Sequence, residues 1–336
     1  MDSFTIKYLT NDTDLINEVE NFVLNWNDSS DFIITKTSGS TGKPKSILLL
    51  KSKMIESAQM TGEYLNIKKG DKAILCLSPS TIAGKMMLVR SIILKLKLSV
   101  IDVNSHIFNK IEEEIDFIAM VPIQLKNALN ESVEKIRKCK NIIIGGGEIS
   151  SSLENQLKEK KITVYHTFGM TETISHIAMR KVGLITEDYF TAIGATTFSH
   201  KDNQLVIESP LLECQKIITN DIVQLLDNKH FKWIGRSDFI INSGGIKIQP
   251  EIVESKLIKI IHSPFFISSL KDEILGEKLI LVIEGKLDSK LNKELFESVL
   301  SKFELPKNIY FINKFERTDS GKINRMKTKE KLEIKL

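Results

Sequence analysis

The sequence predicts an α/β protein of two domains: a large layered α/β N-terminal domain over 1–236 and a small α+β C-terminal domain over 237–336. Three observations predict it. From about residue 30 to 170, uninterrupted apolar runs alternate with helical patterns, as in largely parallel strands covered by helices. After about residue 185 the runs become shorter and alternating, and a break at Gly235-Arg236-Ser237-Asp238 precedes a compact C-terminal unit. A chain of 336 residues, 42% of them hydrophobic, is long enough to bury two cores.

Taken in order, short buried strands at 31–34 and 47–50 flank a polar loop at 37–45. Further strands are expected at 73–77, 100–103, 117–121, 142–144 and 162–165, with helices at 54–65, 85–96, 123–130 and 151–160 between them. The string Ser151-Ser152-Leu153-Glu154 resembles a capping box and marks the start of the last helix. The longest apolar stretch, near 86–98, contains Arg90, Lys95 and Lys97 and reads as a core helix, not a membrane span. Strands at 204–208 and 217–218 follow. The C-terminal unit reads as a hairpin at 240–248, a helix opening at Pro250, a strand at 279–283, a helix at 289–303, a strand at 309–312 and a basic tail. No internal repeat or low-complexity segment is visible.

Charge excludes some functions. The chain has 47 basic and 43 acidic residues, a net charge of +4, with both signs interleaved, so no nucleic-acid surface is expected. Cys76, Cys139 and Cys214 lie far apart without metal-type spacing, and Cys76 and Cys139, in or beside apolar strands, are expected as buried free thiols, which suits a reducing cytoplasm. The first residues lack a basic segment leading into an apolar run, so no signal peptide is expected.

The most informative segment is Thr37-Ser38-Gly39-Ser40-Thr41-Gly42-Lys43-Pro44-Lys45. Glycines let backbone N–H groups turn toward an anion, hydroxyls donate further hydrogen bonds and lysines supply charge, so the loop makes a phosphate cradle. It is not a Walker A loop: Gly39 to Gly42 is too short, and Pro44 follows the lysine where a helix would have to begin. Taken alone it could equally be a solvated turn.

Five further segments stand in order behind it: Ile144-Gly145-Gly146-Gly147-Glu148, Phe168-Gly169-Met170-Thr171-Glu172-Thr173, Thr219-Asn220-Asp221 with Trp233-Ile234-Gly235-Arg236-Ser237-Asp238, Ser243-Gly244-Gly245-Ile246-Lys247, and Asp319-Ser320-Gly321-Lys322-Ile323-Asn324-Arg325. In order and content these resemble the signature motifs of the adenylate-forming (AMP-binding) superfamily, which includes acyl- and aryl-CoA synthetases, peptide-synthetase adenylation domains and luciferase. The resemblance covers about residues 32–326. Superfamily members usually have a longer N-terminal region, so the chain is expected to be a minimal catalytic core.

The resemblance implies the adenylate-forming enzyme fold and an AMP-forming ligase using ATP, Mg²⁺, a carboxylic acid and coenzyme A. Thr37, Ser38, Gly39, Ser40, Thr41, Gly42, Lys43 and Lys45 would hold the β- and γ-phosphates. Glu172 would bind the metal and Thr171 the α-phosphate. Gly145, Gly146, Gly147, Glu148, Phe168 and Gly169 would surround adenine, while Asp221 and Arg236 would meet the ribose. Lys322 would serve adenylation. Asp238 would be the hinge, and Gly244, Gly245 and Lys247 would line the passage for the pantetheine arm. Singly, Glu172 reads as a helix N-terminal acid, Asp221 as a turn former and Lys322 as a solvated tail lysine.

Within the superfamily, the strings from Thr81 to Arg90, Val121 to Leu125 and Thr171 to Ala178 are similar to the o-succinylbenzoate–CoA ligases of menaquinone biosynthesis. That family usually has a histidine where this chain has Thr81. The implied acid pocket contains Thr81, Ala83, Gly84 and Met170, with Arg90 or His176 toward the distal carboxylate. Singly, Arg90 reads as a snorkelling helix residue and His176 as a satisfied core histidine. Two other ligase readings are a CoA ligase for another aryl or short acyl acid and an amino-acid adenylation enzyme, for which no pocket aspartate is evident at 80–84. A non-catalytic nucleotide sensor is a further reading, and it leaves Lys322 unexplained.

Overall fold

The computed structural model describes residues 4–36, 46–112, 114–212, 216–286, 291, 293–317 and 323–333. The polar loop at 37–45, Cys214, the start of the helix expected at 289–303, and Lys322 therefore lie outside the described residues. The chain folds as two compact units. One comprises residues 1–198, 207–217 and 227–230; the other comprises 199–206, 218–226 and 231–336.

The first unit contains β1 (Thr5–Tyr8), α1 (Thr13–Asn27), β2 (Phe32–Lys36), β3 (Ser46–Leu50), α2 (Lys51–Leu65), β4 (Lys72–Leu75), α3 (Ile82–Ile93), β5 (Lys97–Val100), β6 (Phe117–Met120), α4 (Pro122–Glu131), α5 (Val133–Arg137), β7 (Asn141–Ile144), α6 (Ser151–Glu159), β8 (Thr163–Gly169), β9 (His176–Gly183) and β10 (Phe190–Ala192). Its main sheet runs β1-β5-β4-β6-β7-β8-β9-β10. The first five pairings are parallel, and β9 and β10 add antiparallel strands. Ile118, Ile142, Ile144, Leu125, Leu129, Leu153 and Leu157 pack in one buried cluster, so both faces of β6 and β7 lack water and their sequences are apolar without alternation. The strands β2 and β3 pair with each other as an antiparallel hairpin.

Four expectations need correction. The apolar stretch at 86–98 is not one helix. Helix α3 stops at Ile93, Lys95 takes a left-handed φ of 56°, and β5 begins at Lys97, three residues before the strand expected at 100–103. Ile92, Ile93, Leu94, Leu96 and Leu98 are apolar on both sides of the boundary, so hydrophobicity does not mark it; the turn does. The cap of α6 is Ser150, whose Oγ accepts from Leu153 N at 3.3 Å, one residue earlier than the expected box. Among the described residues of the segment expected to be helical over 289–303, helix α8 covers Lys293–Glu297, and 298–303 form turns instead. Residues 325–333, expected as a basic tail, form helix α9 (Arg325–Glu333).

The second unit holds the greater parts of β11 (Thr197–Lys201), β12 (Gln204–Glu208), β13 (Lys216–Leu225) and β14 (His230–Arg236), ordered β14-β13-β12-β11. It then adds β15 (Ile241–Ser243), β16 (Ile246–Ile248), α7 (Pro250–Leu257), β17 (Phe265–Asp272), β18 (Gly276–Glu284), α8, β19 (Asn308–Ile312) and α9. A sheet ordered β16-β15-β18-β17, with β19 parallel to β18, buries Leu279, Leu281 and Ile283 against Val253 and Leu257 of α7. No described helix is long and apolar enough to cross a membrane. Burial pushes the Cys76 and Cys139 thiols up to about 12, and both are free cysteines.

Candidate nucleotide and acid site

Strand β7 is wholly buried and ends at Ile144, where three glycines turn the chain out of the sheet. Gly145 N donates to Met120 O at 3.0 Å, and Gly146 adopts φ +74°. A Cβ on Gly145 would stand 2.8 Å from Thr167 Oγ1, so only glycine lets the backbone lie this close to β8. Thr167 is itself held by donating to Ile144 O at 3.0 Å. His166, which was not anticipated, reaches Gly147 O at 3.1 Å through Nε2. Burial, with Arg180 beside it, pulls His166 down to about 3, so the ring is neutral. Phe168, expected against adenine, packs its ring 5.7 Å from that of Phe190.

After Phe168 the ladder between β8 and β9 shifts register, and Gly169 passes close under the opposing strand: a Cβ there would be 2.2 Å from Ser175 O. The turn Thr171–Thr173 that follows is pinned by Thr173. Its fully buried hydroxyl accepts from Met170 N at 2.9 Å and has Ser175 O at 2.7 Å and Met170 O at 2.9 Å within reach of its one hydrogen. Thr171 is thereby buried while Glu172 is exposed. Ile174, at φ 67°, closes the turn.

Beside this turn lies the least expected arrangement of the unit. Arg90 is 1% exposed on α3, and its partners are Thr61 Oγ1 at 3.3 Å, Ser175 Oγ at 2.7 Å and His176 Nδ1 at 3.5 Å. None is a carboxylate, and burial pulls the guanidinium down to about 9. His176 bonds Thr61 Oγ1 through Nε2 at 3.0 Å, and burial beside Arg90 keeps it well below its ordinary range. The pair is therefore one cation held by neutral groups, which is an anion-seeking arrangement. Thr61 and Ser175 were not anticipated; nothing in their local sequence distinguishes them from ordinary core and turn residues.

The remaining pocket candidates sit at the other end of α3. Thr81 is the N-cap, its Oγ1 accepting from Gly84 N at 3.2 Å and donating to Ser78 O at 2.8 Å. Ala83 is exposed on the first turn, and Gly84 is buried against the Ser78 carbonyl. Six residues of helix, about 9 Å of rise, separate Gly84 from Arg90.

In the second unit, Asp221 faces Arg236 across β13 and β14. Asp221 accepts from Trp233 Nε1 at 2.9 Å, and burial raises its carboxyl against that bond. Arg236 forms a fork with Asp238 at 2.9 and 2.7 Å, its Nη1 standing 3.9 Å from Asp221, so the expected ribose and hinge residues form one charged cluster. Gly244 and Gly245, at φ 59° and 80°, are the two-residue turn joining β15 to β16, where both positions favour glycine. Lys247, exposed on β16, pairs with Asn242.

Residues 8–211 match the family described as AMP-binding enzyme. A 2-succinylbenzoate–CoA ligase of Bacillus cytotoxicus is 25% identical over 344 residues, covering 90% of this chain and 70% of that protein. The ligase of that name from Bacillus subtilis is 26% identical, covering 88% and 68%. A solved acyl-CoA synthetase (AMP-forming)/AMP-acid ligase II-like protein from Dyadobacter fermentans matches with a TM-score of 0.64 and 32% identity, over 96% of this chain and 95% of that one. The Bacillus subtilis o-succinylbenzoate CoA synthetase in complex with ATP and magnesium ion shares the fold at 21% identity, with a TM-score of 0.72 over 88% of this chain and 69% of that one. The chain belongs to the AMP-binding enzyme family. Its enzymatic class is that of the AMP-forming acid–thiol ligases.

Proposed function

We propose that the protein is an ATP-dependent acid–CoA ligase that converts o-succinylbenzoate to o-succinylbenzoyl-CoA, a step of menaquinone biosynthesis. In the first half-reaction the substrate carboxylate attacks the α-phosphorus of ATP, forming the acyl-adenylate and releasing pyrophosphate. In the second, the thiol of coenzyme A attacks the acyl carbon, AMP departs and the thiol proton is released. One observation carries the choice of a doubly anionic acid: Arg90 is a buried cation whose partners Thr61, Ser175 and His176 are all neutral. A distal carboxylate there would supply the missing countercharge and be held by charge-assisted hydrogen bonds.

The other roles follow the motif order. The loop at 37–45 takes the β- and γ-phosphates, Thr171 the α-phosphate, residues 145–148 with Phe168 and Gly169 the adenine, and Asp221 with Arg236 the ribose. A magnesium ion commonly takes one or two carboxylates plus substrate phosphates, and the exposed Glu172 fits that demand; among the described residues no cluster of three acidic, His or Cys groups offers a protein cage. When bound, the ion would neutralise phosphate charge. Turning about Asp238, the C-terminal domain 237–336 would present Lys322 for adenylation and the Gly244–Gly245 turn with Lys247 for thioester formation.

The test is pyrophosphate release with a panel of acids, with and without coenzyme A. Release with o-succinylbenzoate well above benzoate and short acyl acids, and thioester only with coenzyme A, is the expected result. Preference for a monocarboxylate would replace the acid and leave the ligase reading standing. A requirement for a carrier domain would make the protein an amino-acid-loading type, and no release with any acid would leave a nucleotide sensor.

A further inference from the structure

We propose that His166 is the positioning residue of the adenine loop, fixing the Gly147 carbonyl so that the site selects a 6-aminopurine over a 6-oxopurine. The inference rests on the assignment of residues 145–147 to the base in an AMP-binding enzyme, and it specifies how that site tells one purine from another.

Strand register places His166 opposite Ile144, immediately before the glycine turn. The side chain is 8% exposed, and both ring nitrogens have partners that determine their protonation. Gly147 O can only accept, so Nε2, 3.1 Å away, carries the hydrogen. Arg180 Nε can only donate, so Nδ1, 3.4 Å away, is bare. The ring is thus held in one neutral tautomer with its donor aimed at the loop.

Arg180 is itself immobilised. Its Nη1 donates to Glu187 O at 3.0 Å, and its guanidinium lies 5.6 Å over the Phe190 ring. That same ring packs 5.4 Å from His166 and 5.7 Å from Phe168. One aromatic side chain therefore braces both the residue expected to stack on the base and the residue that holds the loop. The loop needs the anchor: Gly146 is at φ +74°, and glycine backbone has many other conformations open to it. A carbonyl held in place has a second lone pair. It attracts the exocyclic amino group of adenine and repels the O6 of hypoxanthine or guanine.

The experiment measures calorimetric binding of AMP and IMP to the full chain, unaltered and with His166→Ala, His166→Gln and Arg180→Met. The unaltered chain is expected to prefer AMP. His166→Ala should weaken AMP binding by about tenfold and lose most of the preference over IMP, as for one lost buried hydrogen bond. His166→Gln, whose amide can donate to the same carbonyl, should keep the preference. Preference unchanged in His166→Ala would overturn the inference, as would equal weakening of both nucleotides, which marks a merely structural role. Should His166→Ala fail to fold, Arg180→Met carries the test, because it releases Nδ1 to take the proton: reduced preference supports the inference and unchanged preference overturns it. If the unaltered chain binds neither nucleotide, the assignment of the loop falls first and this inference with it. Because AMP and IMP are offered without any acid, the outcome does not depend on which carboxylate the enzyme uses.

Discussion

Two histidines and one arginine carry most of what can be argued at the scale of single residues. His166 at about 3 and His176 well below its ordinary range are neutral in the folded chain, whereas in the unfolded chain both take a proton below about 6.5. The unfolded state then binds more protons than the native one, so stability is fully present above that value and is lost as pH falls from about 6.5 toward 3. Unfolding free energies from urea titrations at pH 7, 6 and 5 should fall, by up to about 1.4 kcal/mol per histidine for each pH unit below 6.5. His166→Gln with His176→Gln should flatten the slope; an unchanged slope would place the acid sensitivity elsewhere. Arg90 separates stability from function. Replacing a buried cation with an apolar chain of similar length is often neutral or stabilising, so Arg90→Met should leave the urea midpoint unchanged or raised. The same variant should raise KM for the acid by about 10–100-fold, the worth of a charge-assisted hydrogen bond, with KM for ATP little altered. Raised KM for both substrates would argue against a distal-carboxylate role. The sequence made Arg90 and His176 visible, but their meeting at 3.5 Å was not, because α3 and β9 are far apart along the chain.

Among the elements, α3 shows where local preference and tertiary packing disagree. Alanine is ordinarily better than glycine inside a helix by about 1 kcal/mol. At Gly84 a Cβ would stand 2.1 Å from Ser78 O and 2.9 Å from Leu77 O, both backbone atoms that cannot swing away. Gly84→Ala should therefore lower stability by about 1–3 kcal/mol despite the helical gain, and a raised melting temperature would show that the loop at 77–78 yields instead. The end of the same helix was not legible either, because Ile92, Ile93, Leu94, Leu96 and Leu98 carry apolar character from α3 into β5 and the left-handed Lys95 marks the change. The core strands β6 and β7 were legible for the opposite reason: each lies in an apolar run with clear ends, Asp116 and Pro122 for the first and Asn141 and Gly145 for the second, and burial on both faces favours such runs. Strand β17 was not, since Ser268, Ser269 and Lys271 break its apolar pattern while its backbone pairs with β18 along its whole length. Helix α9 was concealed by its composition: mostly charged, it buries Thr328 and Leu332.

For the molecule as a whole, the chain divides into two compact units that put 199–206, 218–226 and 231–236 together with 237–336, whereas the proposed function divides the chemistry between 1–236 and 237–336. Under that division Lys322→Ala should abolish pyrophosphate release with acid and ATP yet spare thioester formation from a supplied acyl-adenylate. Separate assays of the two half-reactions decide it, and equal loss of both would contradict the separation of tasks. By itself the sequence determined the α/β alternation and the order of the motifs, since apolar period, glycine turns and clustered hydroxyls are local properties of the chain. Tertiary structure alone decided which side chains meet. Among the described residues Arg90 is confronted with neutral partners only, His166 is held in one tautomer between Arg180 and Gly147, and Thr173 pins the turn that buries Thr171 and exposes Glu172. The physical reason is that burial and hydrogen-bond partnership are fixed by residues tens of positions apart, and no local pattern encodes the low-polarity surroundings that set their charge.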